Sequence, residues 1–374
     1  MGKIGIVTNY GNYNFGTSLQ NYAVEHVLKS LGFDVETIIK STNKHGNIGE
    51  LKNKISKFKD MSFKIKCFEI YKKIVKKTYE LEYKEELEKR KNAFNTFSNQ
   101  FLNQRNYRIN KELGKKFDYF IVGSDCIWGP SENTFFAFLE FAPKNKKIAF
   151  APSFACSTIP KEYKEKYREG LSGFAHLSIR EQAGVNIIKE LIGRNAELLV
   201  DPTMLLSREH WVSISKKSVN KPREKYLLNY MLGKTPYKWK KQINKIADRY
   251  NLKIVKIAEI KERKRFGAGP QEIIDYLKSA EIVVTDSFHA TIFSILFSKP
   301  FIVYDRQMDF YSCFSRLETL LNKFKFEKRF VDNMDECNVF NINFSHTKAI
   351  LEKERKKSYN YLKKSLGVKN FGSK

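Results

Sequence analysis

Short unbroken apolar runs alternate along most of this chain with longer stretches of helical spacing, and that alternation predicts a parallel α/β architecture. The clearest instance runs from Glu281 to Tyr304. Ile282-Val283-Val284 reads as a strand buried on both faces. Thr285-Asp286-Ser287 then interrupts it with short polar side chains that favour helix N-caps over helix interiors. Ile292, Phe293, Leu296 and Phe297 recur on one helical face, Lys299-Pro300 stops the helix, and Phe301 to Tyr304 reads as the next strand. His289 falls in the first helical turn, at the carboxyl end of the strand. Open parallel sheets take ligands at that edge, and unpaired backbone N–H groups there attract anions.

The same grammar opens the chain. Ile4 to Val7 reads as a strand. The Gly/Asn-rich loop Thr8 to Gly16 follows, with Thr17 or Ser18 placed to cap a helix that runs to Leu31 and stops at Gly32. Val35 to Ile39 is a second strand. Residues 43–110 change character: Gly is absent after Gly49, Lys and Glu dominate, and Phe58, Met61, Ile65 and Phe68 recur at helical intervals. Two or three helices are expected there, as an excursion from the first domain. The interleaved charges of Lys72 to Lys91 suit a solvated helix face, with a basic amphipathic membrane contact as the other reading.

Strands resume at Asp118–Val122, running into Gly123-Ser124-Asp125-Cys126-Ile127-Trp128, and recur at 147–151, 177–180 and 198–200, the last closing on Asp201-Pro202-Thr203. Glu181 to Ile192 reads as a helix ended by Gly193. A second unit begins with a strand at 226–230, a helix at 236–250 and a strand at 252–257. A basic loop, Lys261 to Arg265, and a helix from Pro270 to Ser279 lead into the stretch described first. The expected fold is two Rossmann-like doubly wound domains facing a cleft: residues 1–203, residues 204–345, and a basic C-terminal helix and tail at 346–374.

Composition narrows the function classes. At 374 residues the chain is long enough for two or three cores. No apolar run approaches the ~20 residues of a membrane-spanning helix, and the N-terminal stretch reads as a strand rather than a signal peptide. Five scattered cysteines without a CxxC pair argue against a disulfide framework or zinc site, and suit a reducing cytosol. A cytoplasmic protein, peripheral at the inner membrane face at most, is expected. The net charge of +27 admits an anionic partner, but abundant Lys, Asn and Ile also fit a coding bias toward A and T. No zinc-finger, KH or RNP-type signature points to nucleic acid, and none is expected as a partner. The Gly11–Gly16 loop is not GxGxxG, and no Walker A sequence occurs.

Four blocks, taken in order, resemble the polysaccharide pyruvyl transferase family: TNYGNYNFGTSLQNYAV, FDYFIVGSDCIWGP, the pair LSIREQAG and LLVDPTMLL, and AEIVVTDSFHATIFSILFSKPFIVY. They span residues 4 to about 330. The resemblance implies a GT-B-like architecture. It also implies transfer of the enolpyruvyl unit of phosphoenolpyruvate to a sugar of a glycan or lipid-linked glycan precursor, forming a pyruvate ketal and releasing phosphate. Phosphoenolpyruvate is then a substrate; no cofactor and no obligatory metal are expected. The family usually continues its second block as GSDQxWN, so Cys126 and Gly129 depart from it.

Such chemistry needs fixed cations and N–H donors for the phosphate and carboxylate, with a general acid and a general base. His289 is the first candidate, as proton carrier or phosphate ligand, against a locally packed histidine. Ser287 is placed to complete the anion cradle. Arg180, ending a buried-looking strand, suits bidentate anion binding, against an ion pair with Glu181 or Asp201. Asp125 is a candidate base for the acceptor hydroxyl, against a turn-forming aspartate. Asn12, Asn14, Gly16, Ser124 and Trp128 are the candidate acceptor contacts. Cys126 is read as a reactive thiol or a passive residue, and Lys261 to Arg265 as a phosphate contact or a solvated loop. A nucleotide-sugar glycosyltransferase and a non-enzymatic binder of anionic polymers or membranes are the competing functions.

Overall fold

The computed structural model describes residues 2–41, 77–257, 259–306, 314–333 and 336–368. Strands β1 (Lys3–Val7), β2 (Asp34–Lys40), β3 (Gln104–Tyr107), β4 (Tyr119–Val122) and β5 (Lys147–Ala149) form a parallel sheet in the order β3-β2-β1-β4-β5. A parallel bridge from Ile148 to His176 leads on to the short pair β6 (Ser178–Ile179) and β7 (Glu197–Leu198). The connecting helices include α1 (Phe15–Ser30), α2 (Lys84–Phe101), α3 (Lys164–Ser172) and α4 (Gln182–Ile192).

The second sheet is also parallel. It comprises β8 (Tyr226–Tyr230), β9 (Lys253–Lys256), β10 (Ile282–Thr285) and β11 (Phe301–Val303) in the order β11-β10-β8-β9. Around it lie α5 (Tyr237–Arg249), α6 (Pro270–Ser279), α7 (Phe288–Leu296) and α8 (Phe314–Lys323). The inner strands are mostly apolar because both faces are covered: every residue of β8 and β10 is buried. In each sheet the strand order reverses between two neighbours, β1 with β4 and β8 with β10. The site lies at the carboxyl edges of these strands, the place where open α/β sheets take ligands.

One apolar core runs through both units, joining Ile4, Leu19 and Phe97 to Tyr226, Val283, Phe293 and Leu317. Arg90 on α2 staples the units together: it donates to the carbonyls of Tyr13 (2.8 Å) and Phe266 (3.0 Å) and lies over the Phe15 ring at 4.6 Å. The terminal helix α9 (Thr347–Ser365) returns to the first unit, with Arg355 donating to the Met204 and Leu206 carbonyls and the Tyr361 hydroxyl to Ala149 O.

Three local expectations change. The helical stretch expected over 43–110 contains, in its described part, α2 and then strand β3. The exposed Gln104-Arg105-Asn106 carries no apolar alternation because an edge strand is held by its backbone ladder on β2. Residues 42–76, with Phe58, Met61, Ile65 and Phe68, lie outside the described residues. The basic loop at Lys261–Arg265 contains a one-turn helix, Arg263–Phe266, docked on α2 by an Arg263–Glu86 ion pair of 3.3 Å. Helix α1 is capped by Asn14, whose side chain accepts from Thr17 N, rather than by Thr17 or Ser18.

Candidate active site

The carboxylate of Asp201 stands at the meeting point of the two units. It follows β7, the turn Asp201-Pro202-Thr203 holding its Oδ1 against Thr203 N (3.0 Å) and Thr203 Oγ1 (2.7 Å). Its Oδ2 accepts from Arg180 Nη1 at 2.6 Å and from Ser124 Oγ at 3.2 Å, and lies 3.6 Å from His289 Nε2. Arg180 reaches across to Asp125 Oδ1 at 3.3 Å, and Asp125 Oδ2 accepts from Thr17 Oγ1 at 2.7 Å. The chain around Asp125 turns sharply, with φ of 66° at that residue. Thus the end of β4 contributes two side chains, and the ends of β6 and β7 and the starts of α1 and α7 one each, to a single cluster.

His289 is set by helix geometry. Ser287 caps α7, its Oγ accepting from Ala290 N at 3.4 Å, and places His289 in the first turn, beside unsatisfied N–H groups. Asp286 anchors the neighbouring loop by accepting from Leu232 N (2.8 Å) and Gly233 N (2.7 Å). The imidazole packs closely against the start of α1. A Cβ at Gly16 would sit 2.0 Å from His289 Nδ1, so only glycine permits this approach. The ring is nearly buried and Nε2 makes no hydrogen bond, its 3.6 Å separation from Asp201 being a Coulombic contact.

Charge is concentrated here. Burial disfavours the Asp201 carboxylate, but His289 and Arg180 outweigh it and hold the group well below the ordinary carboxylate range. Asp125 is likewise depressed: Arg180, His289 and the Thr17 hydroxyl overcome its desolvation. Glu181, fully buried and accepting from Phe154 N at 2.7 Å, is pushed up by burial. Depressed carboxylates stabilise the fold above their unfolded value of about 3.9, and that contribution fades as pH falls below it. Asp201→Asn is therefore expected to lower the melting temperature at pH 7 and to flatten its decline between about pH 5 and pH 3. Parallel pH profiles for wild type and variant would contradict that linkage.

The architecture and sequence have counterparts. Residues 14–307 match the family model described as polysaccharide pyruvyl transferase. The chain belongs to the polysaccharide pyruvyl transferase family. Among solved structures, S. aureus MnaA with UDP is 11% identical over 100% of this chain and 99% of that chain, with a TM-score of 0.50. UGT89C1 of Arabidopsis thaliana with UDP-L-rhamnose (8% identity, 98% of both chains, TM-score 0.49) is also similar. So is a UDP-GlcNAc 2-epimerase from Neisseria meningitidis (10%, 99% and 100%, TM-score 0.45). No curated protein matches this sequence. The fold is GT-B-like, and the protein is a transferase.

In this pyruvyl transferase family member, His289, Arg180 and Asp125 lie together around Asp201. Arg180 does so with its fork turned onto Asp201 and Asp125, the ion pair weighed against ligand binding. Asn12 and Asn14 organise the loop before α1 through Thr17, Asn12 Nδ2 donating to Thr17 Oγ1 at 3.3 Å. Two expected acceptor contacts face elsewhere. Trp128 is fully buried among Phe138, Phe154 and Phe174, its Nε1 directed at Ala137 O, because the chain after Asp125 turns down into the core. Ser124 is fully buried too, its hydroxyl spent on Ala151 O (2.6 Å) and Asp201. Asp201 reads from the sequence as the close of a strand and as an ion-pair partner for Arg180; an aspartate closing an apolar run at a sheet's carboxyl edge was the available signal.

Proposed function

We propose that this chain moves the enolpyruvyl unit of phosphoenolpyruvate onto a sugar of a glycan or lipid-linked glycan precursor, forming a pyruvate ketal. The observation that carries this is His289: a nearly buried imidazole at a helix start, unbonded at Nε2, 3.6 Å from a carboxylate held ionised. His289 gives a proton to the C3 methylene of the donor, with the Asp201 carboxylate 3.6 Å from its Nε2. One acceptor hydroxyl adds at C2, phosphate leaves, and a second hydroxyl closes the ketal. Two hydroxyl protons are released, one replacing that delivered to C3 and one taken by the departing phosphate. Free N–H groups of the α7 first turn suit the phosphate. Asp125, depressed as it is, makes a weak base and is assigned to holding Arg180 and Thr17.

A pocket of about 160 Å³ beside α1, lined by Asn9, Asn12, Thr17, Asn21, Asn95 and Asn99 among others, supplies amides and a hydroxyl suited to a sugar. The net charge of +27 fits an anionic or membrane-borne acceptor at a peripheral surface. Among the described residues no helix is long and apolar enough to cross a membrane. Phosphoenolpyruvate is expected to raise the melting temperature, and UDP- and GDP-sugars to leave it unchanged; protection by the nucleotide sugars alone would favour glycosyl transfer. Gly16→Ala is expected to displace the His289 ring and lower turnover by about 10²-fold with the helix intact, since Ala is a better helix former than Gly. Wild-type turnover in that variant would show that His289 does not need its seat against α1.

A further inference from the structure

A second buried guanidinium faces the cluster from the other unit. Arg316, on α8, is 6% exposed, and among the described residues no carboxylate lies within ion-pair distance of it. Its Nη1 contacts the Cys126 thiol, which Arg180 Nη2 also approaches at 3.5 Å, and its Nε makes no hydrogen bond. The adjacent Ser315 Oγ is buried and likewise makes none. Arg180 and Arg316 share the Phe288 ring, at 4.4 Å and 5.7 Å from its centroid.

The two arginines differ in how their charge is met. Arg180 is held by Cys126 and by two carboxylates in ion-pair contact, Asp201 and Asp125. Arg316 contributes to depressing Asp125 and opposes the rise of Glu181, but it is bonded to neither. A buried charge without a bonded counter-ion is costly, and such a site takes up an anion of the right shape when one is offered. A planar fork with an idle Nε is shaped for a carboxylate.

We propose that Arg316 is the donor-carboxylate clamp, pairing through Nε and an Nη with the carboxylate of phosphoenolpyruvate while the phosphate lies toward His289 and the start of α7. This rests on the functional reading above. Cys126, from the loop after β4, marks the place in the first unit where that carboxylate sits, so donor binding ties the two units across the cleft.

Arg316→Met removes the charge and the fork while keeping much of the apolar stem's volume. Calorimetry with phosphoenolpyruvate is expected to show affinity at least about tenfold weaker than wild type, the loss of one charge-assisted pair. Affinity for inorganic phosphate should be unchanged, and the ligand-free melting temperature unchanged or raised, because an uncompensated charge has been removed. Arg316→Lys, which keeps the charge without the fork, should fall between the two and covers the case in which the methionine variant does not fold. Equal affinity for phosphoenolpyruvate in wild type and variant would overturn the assignment. So would an equal loss of inorganic phosphate binding, or a fall in ligand-free stability with donor affinity preserved. A wild-type chain that does not bind phosphoenolpyruvate would instead overturn the functional reading, and the clamp with it.

Discussion

Replacing His289 by alanine is expected to lower phosphate release from phosphoenolpyruvate by about 10²–10⁴-fold, the usual worth of a positioned proton donor, while the fold persists. The fold survives because His289 is a border residue: Asp201 keeps its 2.6 Å bond to Arg180 and its bonds to Thr203 when the imidazole is gone. His289→Gln keeps hydrogen-bonding capacity without titrating, and separates the two candidate roles. If the ring only holds phosphate, the glutamine variant retains most of the turnover at a raised donor KM; if it carries the proton, kcat falls as in the alanine variant. Steady-state kinetics alongside circular dichroism checks both points. Wild-type kcat in the alanine variant would remove His289 from the mechanism.

The second large effect concerns stability. An Arg180 that faced a ligand, as its bidentate fork suggests from the sequence, would cost turnover on replacement by alanine without unfolding the chain. The structure changes that expectation. The Arg180 side chain is fully buried and balances Asp201, itself fully buried, and Asp125, nearly so. Removing it leaves carboxylates uncompensated, and breaking a buried pair in this way costs about 3–5 kcal/mol. The urea midpoint of Arg180→Ala should shift accordingly. Arg180→Lys should recover part of the loss, retaining the charge but not the fork that spans two acids. An Arg180→Ala chain as stable as wild type but inactive would show that the arginine serves the ligand rather than its acidic neighbours.

What the sequence shows is local order. The strand–turn–helix around His289 was legible almost to the residue, because an apolar run, a serine cap and a Lys-Pro stop are all short-range signals. Helix α6 begins and ends where the Pro270 start suggested. Strand β3 was hidden because its hydrogen bonds to β2, not its side chains, make it a strand. Asp201 showed only its turn-forming half: one oxygen caps Thr203, as an Asp-Pro sequence announces, while the other meets residues remote in the chain. Trp128 was misplaced for the opposite reason. Nearness in sequence to Asp125 suggested nearness to the ligand, but the chain bends between them and the indole is spent on aromatic packing. Arg316 meets Cys126 only through the tertiary fold, from helix α8.

The Cys126 thiol stands between two guanidinium groups, those of Arg180 and Arg316. Gly16, a glycine in a polar loop, looked like a place for the backbone to approach an acceptor, whereas the structure uses its missing Cβ to seat a histidine from the other unit.

Transfer from phosphoenolpyruvate is tested most directly by incubating the purified chain with phosphoenolpyruvate and a panel of glycans and lipid-linked glycan precursors. Released phosphate and the mass of the sugar product are then followed together. The expected result is one phosphate released per pyruvate ketal formed on at least one acceptor, with both signals lost in His289→Ala. Consumption of a UDP- or GDP-sugar with no phosphate released from phosphoenolpyruvate by any acceptor would contradict it.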